Sequence, residues 1–124
     1  MTWIAIAVGG ALGALARYGV TLLTFPAAAN RLPLATLTVN ISGCLLMGIC
    51  YVLIAEKGVL SAEWRHWLMT GFLGAFTTFS AFALDAVALW QHGHGQLALL
   101  YIAISVCACV LAVALGITCT QRLV

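Results

Sequence analysis

The chain has 124 residues, of which 65% are hydrophobic and only 6% charged, and its mean hydropathy is +1.15. Soluble domains carry roughly a quarter charged residues, so an ordinary soluble domain is excluded. A net charge of +2 is too small to argue for nucleic acid or for attraction to a membrane surface.

Four stretches are apolar enough to cross a bilayer core of about 30 Å, which takes about 20 helical residues. They fall at approximately 2–24, 33–55, 64–90 and 96–120. No charged side chain lies between Met1 and Arg17, or between Arg31 and Glu56. The connectors are short, so residues 1–124 are expected to form a single all-α integral membrane domain of four transmembrane helices. The first span lacks a basic leader and is long enough to cross, so it reads as a retained helix and not as a cleaved signal. Lys57, Arg65 and Arg122 fall on one side and Arg31 on the other. That bias is weak, and it is compatible with insertion in both orientations or with a modest preference for one.

In span one, Gly9 and Gly13 form a small-xxx-small face that lets helices approach closely. Arg17 follows within the span. A charge there is a functional candidate by default, and the competing reading is a side chain that snorkels to the interface. The connector to Pro33 is turn-like, with Pro26 and Asn30. Span two opens with Thr36, Asn40 and Gly43 on one face. The Asn40 amide needs partners at membrane depth, and either an interhelical hydrogen bond or a substrate would satisfy it. Trp64 and Trp67 mark an interface.

Span three carries Gly71, Gly74, Thr77 and Thr78 in its middle, where a plain span would use Leu, Ile and Val. These residues weaken a helix, and an unpaired backbone group in hydrocarbon costs several kcal/mol. The third helix is therefore expected to be broken mid-membrane, at a place where something polar binds. Phe72, Phe76, Phe79 and Phe82 recur at three- and four-residue intervals, as one helical face would. Asp85 and Trp90 close the span. His92 and His94 lie in a short connector and read as a turn without metal. Span four is apolar apart from Tyr101, Ser105 and Thr118. Cys44, Cys50, Cys107, Cys109 and Cys119 all fall inside spans with no paired ligand motif, and read as small apolar packing residues.

An aromatic ring has a positive edge. Ring edges, an amide NH₂ and hydroxyls can surround a small anion without formal charge, and such a site can also release it, as conduction requires. The unwound centre of a broken helix exposes carbonyls able to bind a cation, and Gly74 and Thr77 lie there.

The pattern T-x-x-V-N-x-x-G from Thr36 to Gly43, followed by G-x-x-G-x-x-T-T-F-S-x-F from Gly71 to Phe82, resembles the CrcB/Fluc family of bacterial fluoride channels over essentially the whole chain. The resemblance implies an antiparallel, dual-topology homodimer in the cell inner membrane, with two pores along its interface that export fluoride passively. It implies pore roles for Phe79 and Phe82, with Asn40 as amide donor and Ser80, Tyr101 and Ser105 on the lining. Arg17 matches a basic vestibule residue, and the Gly74 and Thr77 carbonyls of both subunits would hold a central sodium ion. Ala81, Ala83 and Cys109 replace hydroxyls common in the family, and Asp85 stands where Glu is common. These changes thin the hydroxyl track and raise the alternative of pairing with a paralogous subunit, or of a non-conducting role. A proton-coupled exporter of the small multidrug resistance type needs an acid in span one, and none precedes Glu56. No nucleophile with a paired base, no metal-ligand set and no phosphate loop suggests an enzyme.

Overall fold

Apolar segments in hydrocarbon must pair their backbone groups internally, and the helix does this within a single segment. The computed structural model describes residues 1–24 and 31–124. The turn expected around Pro26 and Asn30 lies outside the described residues. Helix α1 spans Thr2–Leu23 and α2 spans Leu34–Glu56. Residues 65–76 form α3, followed by α4 at Phe79–Gln91 and α5 at Gly95–Leu123. The last turns of α2, Tyr51–Glu56, and most of α3, Arg65–Leu73, wind more widely, with π-type hydrogen bonding.

Among the described residues, four helical segments are long and apolar enough to cross a membrane: Thr2–Leu23, Leu34–Glu56, Arg65–Gln91 and Gly95–Leu123. The third combines α3 and α4. Neither piece alone would reach across, since 13 helical residues cover only about 20 Å. The chain is thus a multi-pass membrane protein. The last helix runs to Leu123, past the expected end at 120. There Gln121 donates two hydrogen bonds, at 3.0 and 2.8 Å, to the Glu56 carboxylate and ties the end of α5 to the end of α2.

Lipid supplies no hydrophobic drive between helices, so close van der Waals packing at small residues decides which helices touch. Helix α1 lies on α3 through Gly9 and Gly13. A Cβ on Gly9 would fall on the Trp67 carbonyl oxygen, and one on Gly13 on that of Phe72. A second contact of this kind, not singled out from sequence, joins α2 to α5. A Cβ on Gly48 would meet the Val113 carbonyl, and one on Gly116 the Leu45 carbonyl. Gly48→Val and Gly116→Val are each expected to abolish monodisperse protein in detergent, because backbone cannot yield as a side chain can. Size-exclusion yield checks this, and wild-type yield from either variant would refute it.

Helix α4 closes on α5 through Phe82, Ala86 and Leu89 against Ala98 and Tyr101. Only 11% of the apolar window of α1 and 33% of that of α2 is buried in the protomer. Most of the apolar surface therefore meets lipid or another chain. The cysteines do not all pack inside as expected: Cys107 and Cys119 are exposed on α5, and Cys50 is buried. Cys107 and Cys119 are thus not packed within the protomer, because their helix faces turn outward.

Candidate functional site

The helix stops after Phe76 and restarts at Phe79. Between them Thr77 (φ −80°, ψ 159°) and Thr78 (φ −152°, ψ 117°) are extended. Thr77 closes α3 by donating both its backbone N–H and its hydroxyl to the Leu73 carbonyl, each at 3.0 Å. Asn40 on α2 then takes over the next peptide. The Thr78 N–H donates to Asn40 Oδ1 at 2.7 Å, and Asn40 Nδ2 donates to the Thr78 carbonyl at 2.9 Å. The Thr78 hydroxyl caps α4 by accepting from the Ala81 N–H at 3.2 Å, the usual N-cap arrangement. Gly43, one turn beyond Asn40, leaves the notch into which the Thr77 methyl fits, since a Cβ there would overlap it.

This arrangement has a consequence for two carbonyls. In an unbroken helix the Gly74 oxygen would accept from the Thr78 N–H, and the Thr77 oxygen from the Ala81 N–H. Both donors are turned to side chains instead, to Asn40 and to the Thr78 hydroxyl. Gly74 is exposed and Thr77 half-buried.

The phenylalanines do not form one stripe. Phe72 and Phe76 stack at 5.9 Å, while Phe79 and Phe82 make a tilted pair at 5.4 Å that continues to Tyr101 at 5.4 Å. The correction follows from the two extended residues, which advance about 3.3 Å each instead of 1.5 Å and reset the helical phase.

Beside the interruption lies a cavity of about 230 Å³ whose wall includes Asn40, Thr77, Thr78, Phe79, Phe82 and Ser105. No charged side chain lines it, and the remaining wall is Cys44, Val106 and Cys109. The Ser105 hydroxyl is buried without a hydrogen-bond partner. A buried polar group left unpaired costs about 1–3 kcal/mol, which sets this hydroxyl apart from the rest of the wall. Phe82 is 8% exposed, whereas Phe79 is 79% exposed and leaves its side of the site open at the protomer surface. Ser105→Ala is expected to leave the melting temperature unchanged or raised while lowering ion flux. A lowered melting temperature with normal flux would show that the hydroxyl serves packing alone.

Of the residues expected at one site, the structure brings Asn40, Phe79, Phe82 and Ser105 together. It places Ser80 outside this wall, exposed, with its hydroxyl 3.3 Å from that of Thr78. Tyr101 is fully buried behind Phe82, and its hydroxyl donates to Asp85 Oδ2 at 3.4 Å. The Thr36 hydroxyl donates to the same oxygen at 2.7 Å, so Asp85 links α2, α4 and α5. Arg17 lies in a separate cavity of about 300 Å³ with Tyr18, Thr21, Thr36, Thr78 and Ala81. Thr78 and its neighbours thus stand between the two cavities. Sequence reasoning named Thr78 as a helix weakener and Asp85 as the acid that closes the span where Glu is common, and gave neither a place at the site. The shared face of Thr36 and Asn40 is the signal that could have found both, since these two side chains partner Asp85 and Thr78. His92 Nδ1 lies 2.6 Å from the Ala88 carbonyl in a turn closed by Gly93 at φ 83°. Among the described residues no three His, Cys, Asp or Glu side chains cluster.

The fold and this site define a small polytopic membrane protein with an uncharged polar cavity beside an interrupted helix. Residues 4–117 match the family model described as CrcB-like protein, Camphor Resistance (CrcB), and the chain belongs to that family. It is 52% identical over 122 residues to the fluoride-specific ion channel FluC of Saccharophagus degradans, covering 98% of this chain and 91% of the relative. It is 48% identical over 121 residues to the protein of that name from Paracoccus denitrificans, covering 94% and 92%. It is also 40% identical over 124 residues to that from Acidobacterium capsulatum, covering 100% and 99%.

Proposed function

We propose that this chain is the subunit of a fluoride-selective channel through which cytoplasmic fluoride leaves the cell passively, with two pores in an antiparallel, dual-topology homodimer. The full-length likeness to proteins named fluoride-specific ion channels supports the ion. The observation that carries the mechanism is the uncharged cavity with an unsatisfied hydroxyl at Ser105. The Asn40 amide gives one hydrogen to the Thr78 carbonyl and has a second, since a carboxamide carries two donors. That hydrogen, the Ser105 hydroxyl and the ring edges of Phe79 and Phe82 replace the water around an entering anion. With no fixed cation in the wall, the ion is held weakly enough to leave.

The interruption lies about midway along Arg65–Gln91, which agrees with a break near the middle of the bilayer. The exposed Phe79 and Gly74 fit a second copy completing the site. The Gly74 and Thr77 carbonyls, freed of their helical donors, fit a hard monovalent cation such as sodium, for which carbonyl oxygens are suitable ligands. Bound there, sodium would supply positive charge beside the anion path and join the two copies. Arg17, in the cavity behind Thr78, serves as the vestibule residue that draws anions toward the site.

The test is fluoride release from liposomes containing purified protein, with chloride as control. Rapid fluoride loss with negligible chloride loss is expected. No fluoride loss from a well-folded dimer would overturn the homodimeric reading, and restoration by a co-expressed paralogue would then assign the chain to a heterodimer.

A further inference from the structure

Two thiols in the cavity wall remain without a role in this reading. Cys44 on α2 and Cys109 on α5 line it together, each half-buried and free, and the Cys109 thiol neighbours that of Cys44. The register explains the meeting. Gly48 and Val113, whose backbones touch, lie four residues beyond Cys44 and Cys109 respectively. One helical turn back from the tightest approach of α2 and α5, the two side chains therefore face each other. The remaining cysteines lie elsewhere, since none of Cys50, Cys107 and Cys119 reaches this wall.

We propose that Cys44 and Cys109 form a two-coordinate site for a soft divalent cation, and that its occupation closes the cavity. Thiolates select soft metals. Among the described residues no third Cys, His, Asp or Glu is close enough to complete a larger set, so four-coordinate zinc does not fit and a linear bis-thiolate does. Each thiol loses its proton as its sulfur–metal bond forms, so two thiols and one divalent ion give a neutral adduct and two protons. Neutrality matters because a charged adduct would need compensation in a low-dielectric wall that has no charged side chain. The adduct would stand about one helical turn beyond Asn40 and Val106, joining two walls of the cavity an anion would cross.

The probe is mercuric ion, applied to the full chain carrying Cys50→Ala, Cys107→Ala and Cys119→Ala, so that only the pair remains. Intact mass is expected to show one mercury gained and two protons lost. Both thiols should then be shielded from maleimide, and a dithiol should reverse the change. Either Cys44→Ser or Cys109→Ser in that background should weaken retention about a hundredfold, as loss of one arm of a chelate does. One shielded thiol beside one reactive thiol, or equal retention by a single-thiol variant, would overturn the site. These readouts do not depend on conduction, so they stand apart from failure of the channel reading. In liposomes showing fluoride release, mercury should stop that release, and undiminished flux with both thiols shielded would overturn the closure.

Discussion

Asn40→Ala is expected to cut fluoride release sharply and to lower the melting temperature in the same variant. The carboxamide both accepts from the Thr78 N–H and donates to the Thr78 carbonyl, so its removal leaves two backbone groups unpaired beside the cavity. Each such group costs about 1–3 kcal/mol unless water reaches it. The second amide hydrogen, offered to the anion, is lost at the same time. A hydrogen bond to a charged partner is worth about 1.5–3 kcal/mol, and each 1.4 kcal/mol is about tenfold in occupancy or rate. Flux should therefore fall by about one to two orders of magnitude. Asn40→Asp separates the two roles. It keeps an oxygen for the Thr78 N–H but removes the donor and places a negative charge where the anion must pass. Its flux should reach background even in protein that remains monodisperse. Fluoride release and thermal unfolding, measured on one preparation, decide the matter. Near-normal flux in Asn40→Ala would overturn the amide as an ion ligand. Lost flux with an unchanged melting temperature would overturn its part in anchoring Thr78.

Replacing the phenylalanines with isoleucine should lower flux in both cases, and stability more at Phe82 than at Phe79. Ring edges carry the positive end of the aromatic quadrupole, and an aliphatic edge cannot present it to an anion. Phe82 is 8% exposed and packs 5.4 Å from both the Phe79 and the Tyr101 rings, so Phe82→Ile also removes two aromatic pairs, each worth about 0.5–1.5 kcal/mol. Phe79 is exposed and pairs only with the Phe82 ring, so Phe79→Ile removes one aromatic pair where Phe82→Ile removes two. The expected pattern is reduced fluoride release from both variants, a melting temperature lowered more in Phe82→Ile than in Phe79→Ile, and unchanged assembly by size exclusion. Unchanged flux in both, with intact assembly, would sink the ring-edge argument.

The residues that satisfy hydrogen bonds around Thr78 also explain why the site was partly legible before the structure. Asn40 is conspicuous as an amide in an apolar run, and Phe79 and Phe82 sit in a segment rich in glycine and threonine. Ser105 is one of few hydroxyls in its span. Each announces itself by being costly in lipid. Tyr101 announces itself in the same way, yet it is spent on Asp85 and backs Phe82 from behind. Composition cannot tell a polar group that faces the cavity from one that is satisfied behind it.

By itself the sequence determined the four spans, the membrane class and the family, because hydropathy and motif spacing are local properties that need no knowledge of neighbours. It also marked Gly9 and Gly13 as a face for close approach. The tertiary structure alone decided how the helices are turned toward one another. That rotation pairs Asn40 with the peptide of Thr78 and diverts the donors of the Gly74 and Thr77 carbonyls. It also splits the phenylalanines into two groups, makes Gly48 and Gly116 a second contact, and sets Cys44 beside Cys109. The physical reason is common to all of them. Each depends on the azimuth and depth of two helices at once, and in lipid these are set by which small residues let two backbones touch.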